Sequence, residues 1–241
     1  MQQRAIVMGA TSGIGLEVAV RLARQGWKVG IAGRRTNRLE ELVRQTEGIV
    51  AFRSIDVNTP DASEQLAALA KELGGMDLYF HSSGIGWQNE ELSAEKELRT
   101  VETNALGFTR MIGAAFRYFA EHQGGRIACI SSIAGTKGLG AAPAYSATKR
   151  FQSHYLESLS QLARMRQLPI SITDIRPGFV ATDLIAGSHY PLQLKAQDVA
   201  RSIVEAIDRG CEVKTIDLRY RLLVAAWRLI PRWLWIRMRV K

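Results

Sequence analysis

Tyr145 and Lys149 stand four residues apart in the run Tyr145-Ser146-Ala147-Thr148-Lys149. On a helix that spacing puts both side chains on one face. A phenol titrates near ~10 and shuttles protons poorly at neutral pH. A neighbouring ammonium favours the phenolate and brings that value down. A fall of about three units takes roughly 4 kcal/mol of differential interaction. One lysine at a wet surface does not supply that much, so a second, bound cation has to contribute. Taken alone, such a pair is an ordinary solvated pair.

Two more side chains fit the same chemistry. Ser132 lies thirteen residues before Tyr145, just after the apolar run Arg126-Ile127-Ala128-Cys129-Ile130. A hydroxyl at the end of a strand can donate to a carbonyl beside the phenol; the plainer alternative is a cap or loop serine. Asn104 falls inside a long stretch of helical spacing, from about Leu92 to Ala120. Asparagine is a poor helix-interior residue because its amide competes for backbone hydrogen bonds. That misfit points to a task, such as holding a water near Lys149, against the alternative of simple exposure.

Near the N-terminus the sequence reads Gly9-Ala10-Thr11-Ser12-Gly13-Ile14-Gly15, with spacing G-x-x-x-G-x-G. It follows the apolar run Ala5-Ile6-Val7-Met8 and opens a segment with Ile14, Val18 and Leu22 at helical spacing. A strand, a glycine turn and a helix follow from this. The turn lets backbone approach a diphosphate, and the helix N-terminus offers free N–H groups and partial positive charge. Gly15 allows the helix to pack close to the strand.

The elements that must position these groups alternate regularly. Strands are predicted at residues 5–8, 28–33, up to Asp56, 77–81, 126–130, 169–174 and 213–216. Helices lie between them, among them Pro60 to Leu73, Tyr145 to Arg166 and Ala196 to Arg209. Such alternation with right-handed crossovers gives a parallel sheet covered on both faces, with ligands at the C-terminal ends of the strands. The glycine turn, Arg34, Asp56, Gly84, Ser132 and Pro177 all follow strands. They should gather on one edge.

The chain has 241 residues, 46% of them hydrophobic, which suits one α/β domain over residues 1–217. Cys129 and Cys211 lie far apart, fit no metal spacing and read as small apolar residues of a reducing, cytoplasmic compartment. The N-terminus enters its first strand at once, so no signal peptide is expected. The net charge of +9 is concentrated at the end, since residues 219–241 hold seven Arg or Lys and no acid. The remainder has 25 basic against 23 acidic residues, which argues against a nucleic-acid footprint.

In this order and spacing the chain resembles the classical short-chain dehydrogenase/reductase family over about residues 4–216. The pieces are the glycine motif, Asp56-Val57, Ser82-Ser83-Gly84, Asn104, Ser132, Tyr145-x-x-x-Lys149 and Pro177-Gly178-Phe179-Val180-Ala181-Thr182. The resemblance implies a Rossmann-type doubly wound parallel sheet of about seven strands, and a catalytic set of Asn104, Ser132, Tyr145 and Lys149. In it Tyr145 is the acid in carbonyl reduction and the base in alcohol oxidation, helped by a bound nicotinamide. Ser132 orients the carbonyl, Lys149 also binds ribose hydroxyls, and Asn104 anchors a relay water. The implied cofactor contacts are Gly9, Thr11, Ser12, Gly13, Ile14, Gly15, Ser83, Gly84, Pro177 and Gly178. Asp56 and Val57 flank adenine, and Val180 and Thr182 the carboxamide. Met8 replaces a usual threonine, and His81-Ser82-Ser83 a usual Asn-Asn-Ala; His81 is expected to be a buried or loop residue. A homodimer or homotetramer is the implied assembly.

NAD enzymes place an acid at the end of the second strand, whereas arginine suits a 2′-phosphate. Here Gly33 takes the acid's place and Arg34-Arg35 follow, so the expected cofactor is NADP(H), the substrate a small ketone, aldehyde or alcohol. The alternative is a catalytically idle NADP-binding sensor or scaffold. A nucleotide-sugar enzyme is disfavoured by the short chain and the glycine spacing. The segment Asp183 to Gln197, with His189, Tyr190 and Pro191, is expected over the substrate. The tail, residues 218–241, interleaves Trp227, Trp233 and Trp235 with arginines. It reads either as a monotopic contact with the cytoplasmic membrane face, favouring a lipid-like substrate, or as packing on its own domain or a sister subunit.

Overall fold

An unbroken apolar run can be a strand only if both its faces are covered, and Ala5, Ile6, Val7 and Met8 are all fully buried. They form β1 (Arg4–Met8), at the centre of the computed structural model, which describes residues 2–183 and 192–240. The other strands are β2 (Lys28–Gly33), β3 (Ile49–Ser54), β4 (Leu78–His81), β5 (Gly125–Ile130), β6 (Ile170–Arg176) and β7 (Val213–Thr215). They make a seven-stranded sheet in the order β3-β2-β1-β4-β5-β6-β7, with every pairing parallel. Strand order reverses between β1 and β4, and that switch point is where ligands enter such sheets. The expected Rossmann-type architecture is what the chain adopts.

Helices α1 (Gly13–Arg24), α2 (Thr36–Gln45) and α7 (Ala196–Asp208) cover one face, burying Val18, Leu22, Leu39 and Ile203 against the sheet. Helices α3 (Ala62–Leu73), α5 (Phe108–Glu121) and α6 (Pro143–Met165) cover the other, through Leu66, Leu69, Phe108, Ile112 and Leu156. Burying each such side chain contributes roughly 1.5–3 kcal/mol. The sixth strand runs two residues past the expected end at Asp174, to Arg176, because β7 pairs with it there. Helix α6 begins at Pro143, whose missing N–H costs nothing in a first turn.

The long helix expected from Leu92 to Ala120 is interrupted. Helix α4 (Ala94–Val101) passes into a π-helical turn, Glu102–Gly107, before α5 begins. Asn104 sits inside that turn, so the misfit noticed in the sequence marks a real break in the α-helical ladder.

The tail folds back on its own domain. Asp217 caps α8 (Leu218–Leu229) by accepting from the Arg219 N–H at 2.8 Å, and α9 (Arg232–Trp235) follows Pro231. Tyr220 and Val224 pack on Ile133, and the Tyr220 ring fills the space that a side chain at Gly178 would need. Lys137 Nζ donates to the Ile230 carbonyl at 2.8 Å, and Trp235 Nε1 to the Gly138 carbonyl at 2.7 Å. The reading in which Trp227, Trp233 and Trp235 meet lipid together therefore does not hold. Trp235 is buried, Trp227 tilts against it at 5.4 Å between ring centroids, and only Trp233 is largely exposed. Lys137 and Gly138 anchor the tail to the domain, while Leu222, Leu229, Trp233 and Ile236 stay exposed. Among the described residues no helix is long and apolar enough to cross a membrane.

Candidate active site

The strand ends gather as topology requires, around a cavity of about 820 Å³. Its wall includes Gly9, Thr11, Ser12, Gly13 and Ile14 of the first turn, Arg34, Arg35, Asp56 and Val57 after β2 and β3, and Ser83 and Gly84 after β4. Ser132, Tyr145, Lys149, Pro177, Gly178, Val180 and Thr182 complete it on the β5–β6 side. Gly15 and Asn104 do not line it. Gly15 packs so tightly under the turn that a Cβ there would overlap the Gly9 carbonyl, which is the close helix–strand approach expected of it. Asn104 is fully buried behind the wall.

The first turn is shaped for backbone approach. Gly9 has φ of +83°, and a side chain there would meet the Ser83 amide at 2.8 Å. Gly13 has φ of +55° and faces Thr182. The cradle is kept open by two glycines that other residues would strain. Arg35 reaches over it, Nη2 donating to Thr11 Oγ1 at 2.7 Å and Ser12 Oγ at 2.6 Å. Its ion pair with Asp183 is long, 3.8 Å, and well exposed, hence worth little. Arg34 is exposed at the same rim. Asp56 accepts from the Asn58 N–H at 3.0 Å, tying the turn after β3.

Deeper in, Ser132 caps a short 3-10 turn, Ile133–Thr136, by accepting from the Ala134 N–H at 3.1 Å. Capping uses the hydroxyl as an acceptor and leaves its proton free to be donated. Tyr145 follows on α6; burial pushes its phenol above the ordinary value, opposed by a hydrogen bond with Ser132. Lys149 is buried, and burial lowers its pKa from 10.5 to about 8, against the pull of Cys129 and Asp174. Its ammonium lies 5.7 Å from the Tyr145 ring centroid. Lys149 by itself thus leaves the tyrosine protonated, as expected for a pair lacking a second cation. Gly86 leaves room for the Tyr145 ring, which any side chain there would strike.

Asn104 uses both ends of its side-chain amide within the protein. Its Oδ1 accepts from the Ile85 N–H at 2.9 Å, and its Nδ2 donates to the Ile85 carbonyl at 2.7 Å and to Thr148 Oγ1 at 3.2 Å. The side chain ties the loop after Gly84 to α6. Its main-chain carbonyl accepts from Gln152 Nε2 at 2.9 Å. Gln152 is a residue the sequence reading passed over. The available signal was a polar residue seven after Tyr145 and three after Lys149, on the same helical face.

His81 is fully buried, as expected, with its Nδ1 2.9 Å from Tyr79 Oη and, among the described residues, no hydrogen-bond partner for Nε2. Burial, with the Lys149 charge, lowers its pKa from 6.5 to about 3. Below about pH 6.5 the unfolded chain takes up a proton that the folded one refuses, so stability falls by about 1.4 kcal/mol per pH unit. Between about pH 7.5 and about pH 5, wild type is expected to lose about 2 kcal/mol more than His81→Asn. Urea unfolding at both values checks this; equal losses contradict it. Expected cover from His189, Tyr190 and Pro191 lies outside the described residues.

The comparisons with known proteins agree on one family and one fold. The family model described as short chain dehydrogenase matches residues 3–190. The chain belongs to that family. An oxidoreductase of Myxococcus xanthus is 35% identical over 214 residues, 86% of this chain and 84% of its own. A protein of Streptomyces coelicolor assigned as a ketoacyl reductase is 34% identical, over 77% of this chain and 74% of its own. Among solved structures, actinorhodin polyketide ketoreductase with NADPH superposes with a TM-score of 0.78 at 26% identity, covering 89% of this chain and 95% of that one. As a short-chain dehydrogenase the protein is an oxidoreductase of the CH–OH/C=O class that uses a nicotinamide cofactor and a small-molecule substrate.

Proposed function

We propose that this short-chain dehydrogenase is an NADPH-dependent reductase of ketones or aldehydes with an apolar flank. The observation that carries the reading is that Ser132, Tyr145 and Lys149 share the wall of one cavity whose rim also holds Arg34 and Arg35. Burial keeps the Tyr145 phenol protonated, the state that carbonyl reduction consumes, and a bound cationic nicotinamide would be needed to bring it down toward the range of an efficient acid. A bound nicotinamide would supply the hydride. Ser132 then donates a hydrogen bond to the carbonyl oxygen, Tyr145 delivers the proton to that oxygen, and Lys149 holds the ribose and favours the phenolate left behind. Phe179, Leu139, Leu223 and Trp227 supply apolar wall near these groups, two of them from the tail. Self-association is supported by Leu98, Leu106, Phe151 and Met165, exposed on the α4–α6 side.

For the cofactor, Gly33 is buried at the end of β2 and Arg34 follows, so nothing acidic stands where a 2′-hydroxyl would be bound. NADPH and NADH differ only in the 2′-phosphate. Arg34→Ala is expected to weaken NADPH binding by about tenfold to a hundredfold, a charge-assisted bond of roughly 1.5–3 kcal/mol, and to leave NADH nearly unchanged. Titrating both cofactors by fluorescence tests this. Equal losses, or tighter NADH binding by wild type, reject the NADP assignment.

A further inference from the structure

A buried glutamine joins the lysine of the site to the π-helical turn. Gln152 is fully buried on α6, on the face it shares with Tyr145 and Lys149. Its Oε1 accepts from Lys149 Nζ at 3.0 Å, and its Nε2 donates to the Asn104 carbonyl at 2.9 Å. Asn104 in turn grips both backbone groups of Ile85. A continuous path thus runs from Lys149, through one amide, to the loop beside Gly84 and Gly86 that walls the cavity. Among the described residues the other protein acceptor of Lys149 is the Ile130 carbonyl at 2.9 Å. With these two bonds fixed, the third N–H of the ammonium is left for the cavity.

We propose that Gln152 is a positioning residue for the reaction: its amide aims the Lys149 ammonium and sets the strength of its charge by standing, as protein, between Lys149 and the Asn104 turn. The proposal rests on the reductase reading for its consequence in turnover, but the geometry concerns this chain alone. An amide oxygen stabilises an ammonium through its dipole, without adding a charge that would hold the proton too firmly. Lys149 remains poised near neutrality, at about 8, where small changes in its partner have large effects on its charge. The groups facing it are Tyr145 on its own helix, His81 on β4, Cys129 on β5 and Asp174 on β6. His81 is neutral, the Cys129 thiol is pushed far up by burial, and Asp174 is already bound to Arg176 and Ser131. None of these replaces the Gln152 contact.

The bland alternative is a core glutamine that only satisfies the Asn104 carbonyl. Titrating the lysine side chain by carbon-13 NMR in the apo-protein separates the two, with Gln152→Glu and Gln152→Leu as variants. A carboxylate in place of the amide should raise the Lys149 midpoint by about one to three pH units. Leucine removes the acceptor and should lower it. In the NADPH-dependent reduction of an accepted ketone, the pH profile should move in the same opposed directions. Turnover should fall in Gln152→Leu by up to about a hundredfold with little change in KM. An unshifted Lys149 midpoint in Gln152→Glu overturns the proposal, whether or not Gln152→Leu folds. If wild type reduces no carbonyl at all, the reductase reading fails, while the apo-protein titration still decides the role of Gln152.

Discussion

Tyr145→Phe is expected to lower kcat for carbonyl reduction by about a hundred- to ten-thousandfold, the usual worth of a positioned general acid. The ring stays and still fills the space that Gly86 leaves for it, so the cavity wall is preserved. Only the hydroxyl goes, and with it the proton for the carbonyl oxygen. NADPH should bind the variant about as tightly as wild type, because the cradle is built from the first turn and from Arg34 and Arg35, away from this phenol. Stopped-flow turnover with a parallel cofactor titration separates the two effects. Near-normal turnover on any accepted ketone would remove Tyr145 from the acid role.

Lys149→Met carries the second large effect and divides function from stability. The ammonium is lost from the wall of the cavity, so NADPH binding should weaken by about tenfold to a hundredfold, and turnover should fall further because the phenolate loses its neighbour. The fold should not suffer in proportion. Burial holds the Lys149 pKa down at about 8, which means the charged form destabilises the folded state by about 3 kcal/mol. That offsets the bonds to Ile130 and Gln152 that methionine gives up. The sign with pH follows from linkage: between about 8 and about 10.5 the unfolded chain keeps a proton that the folded one has shed, so wild type gains stability there. The variant has no such gain. Denaturant midpoints at neutral and alkaline pH should show its relative stability declining as pH rises. A large loss at neutral pH with no pH dependence would assign Lys149 a structural role.

The architecture was legible because hydrophobic runs and glycine turns are local signals. Ala5 to Met8 could only be a doubly buried strand, and strict alternation left only a parallel sheet whose strand ends meet. Spacing placed Ser132 just after a strand and Tyr145 and Lys149 on one helical face, but each was a weak signal alone, and only the resemblance to the short-chain dehydrogenase pattern as a whole pointed to them as a set. Asn104 was half legible: its misfit within a helix announced the π-helical turn, but its partners, Ile85 and Thr148, come from elements far away in sequence. Gln152 left only a weak trace, a polar side chain on a face that the fold buries completely. The tail was least legible, and its two readings stayed open. Arginines and tryptophans interleave alike in an interfacial helix and in one that covers its own domain. What separates them is the Gly138 carbonyl that receives the Trp235 indole, 97 positions back along the chain.

The central claim is hydride delivery from NADPH to a carbonyl held by Ser132 and Tyr145. Its most direct test is incubation of the wild-type protein with NADPH deuterated at the transferable position and a panel of apolar ketones and aldehydes, followed by mass spectrometry of the alcohols. The account predicts deuterium on the carbinol carbon of at least one product, absent with Tyr145→Phe. Tight NADPH binding with no label transferred to any member of a broad panel would contradict it, and would leave a nucleotide-binding sensor in its place.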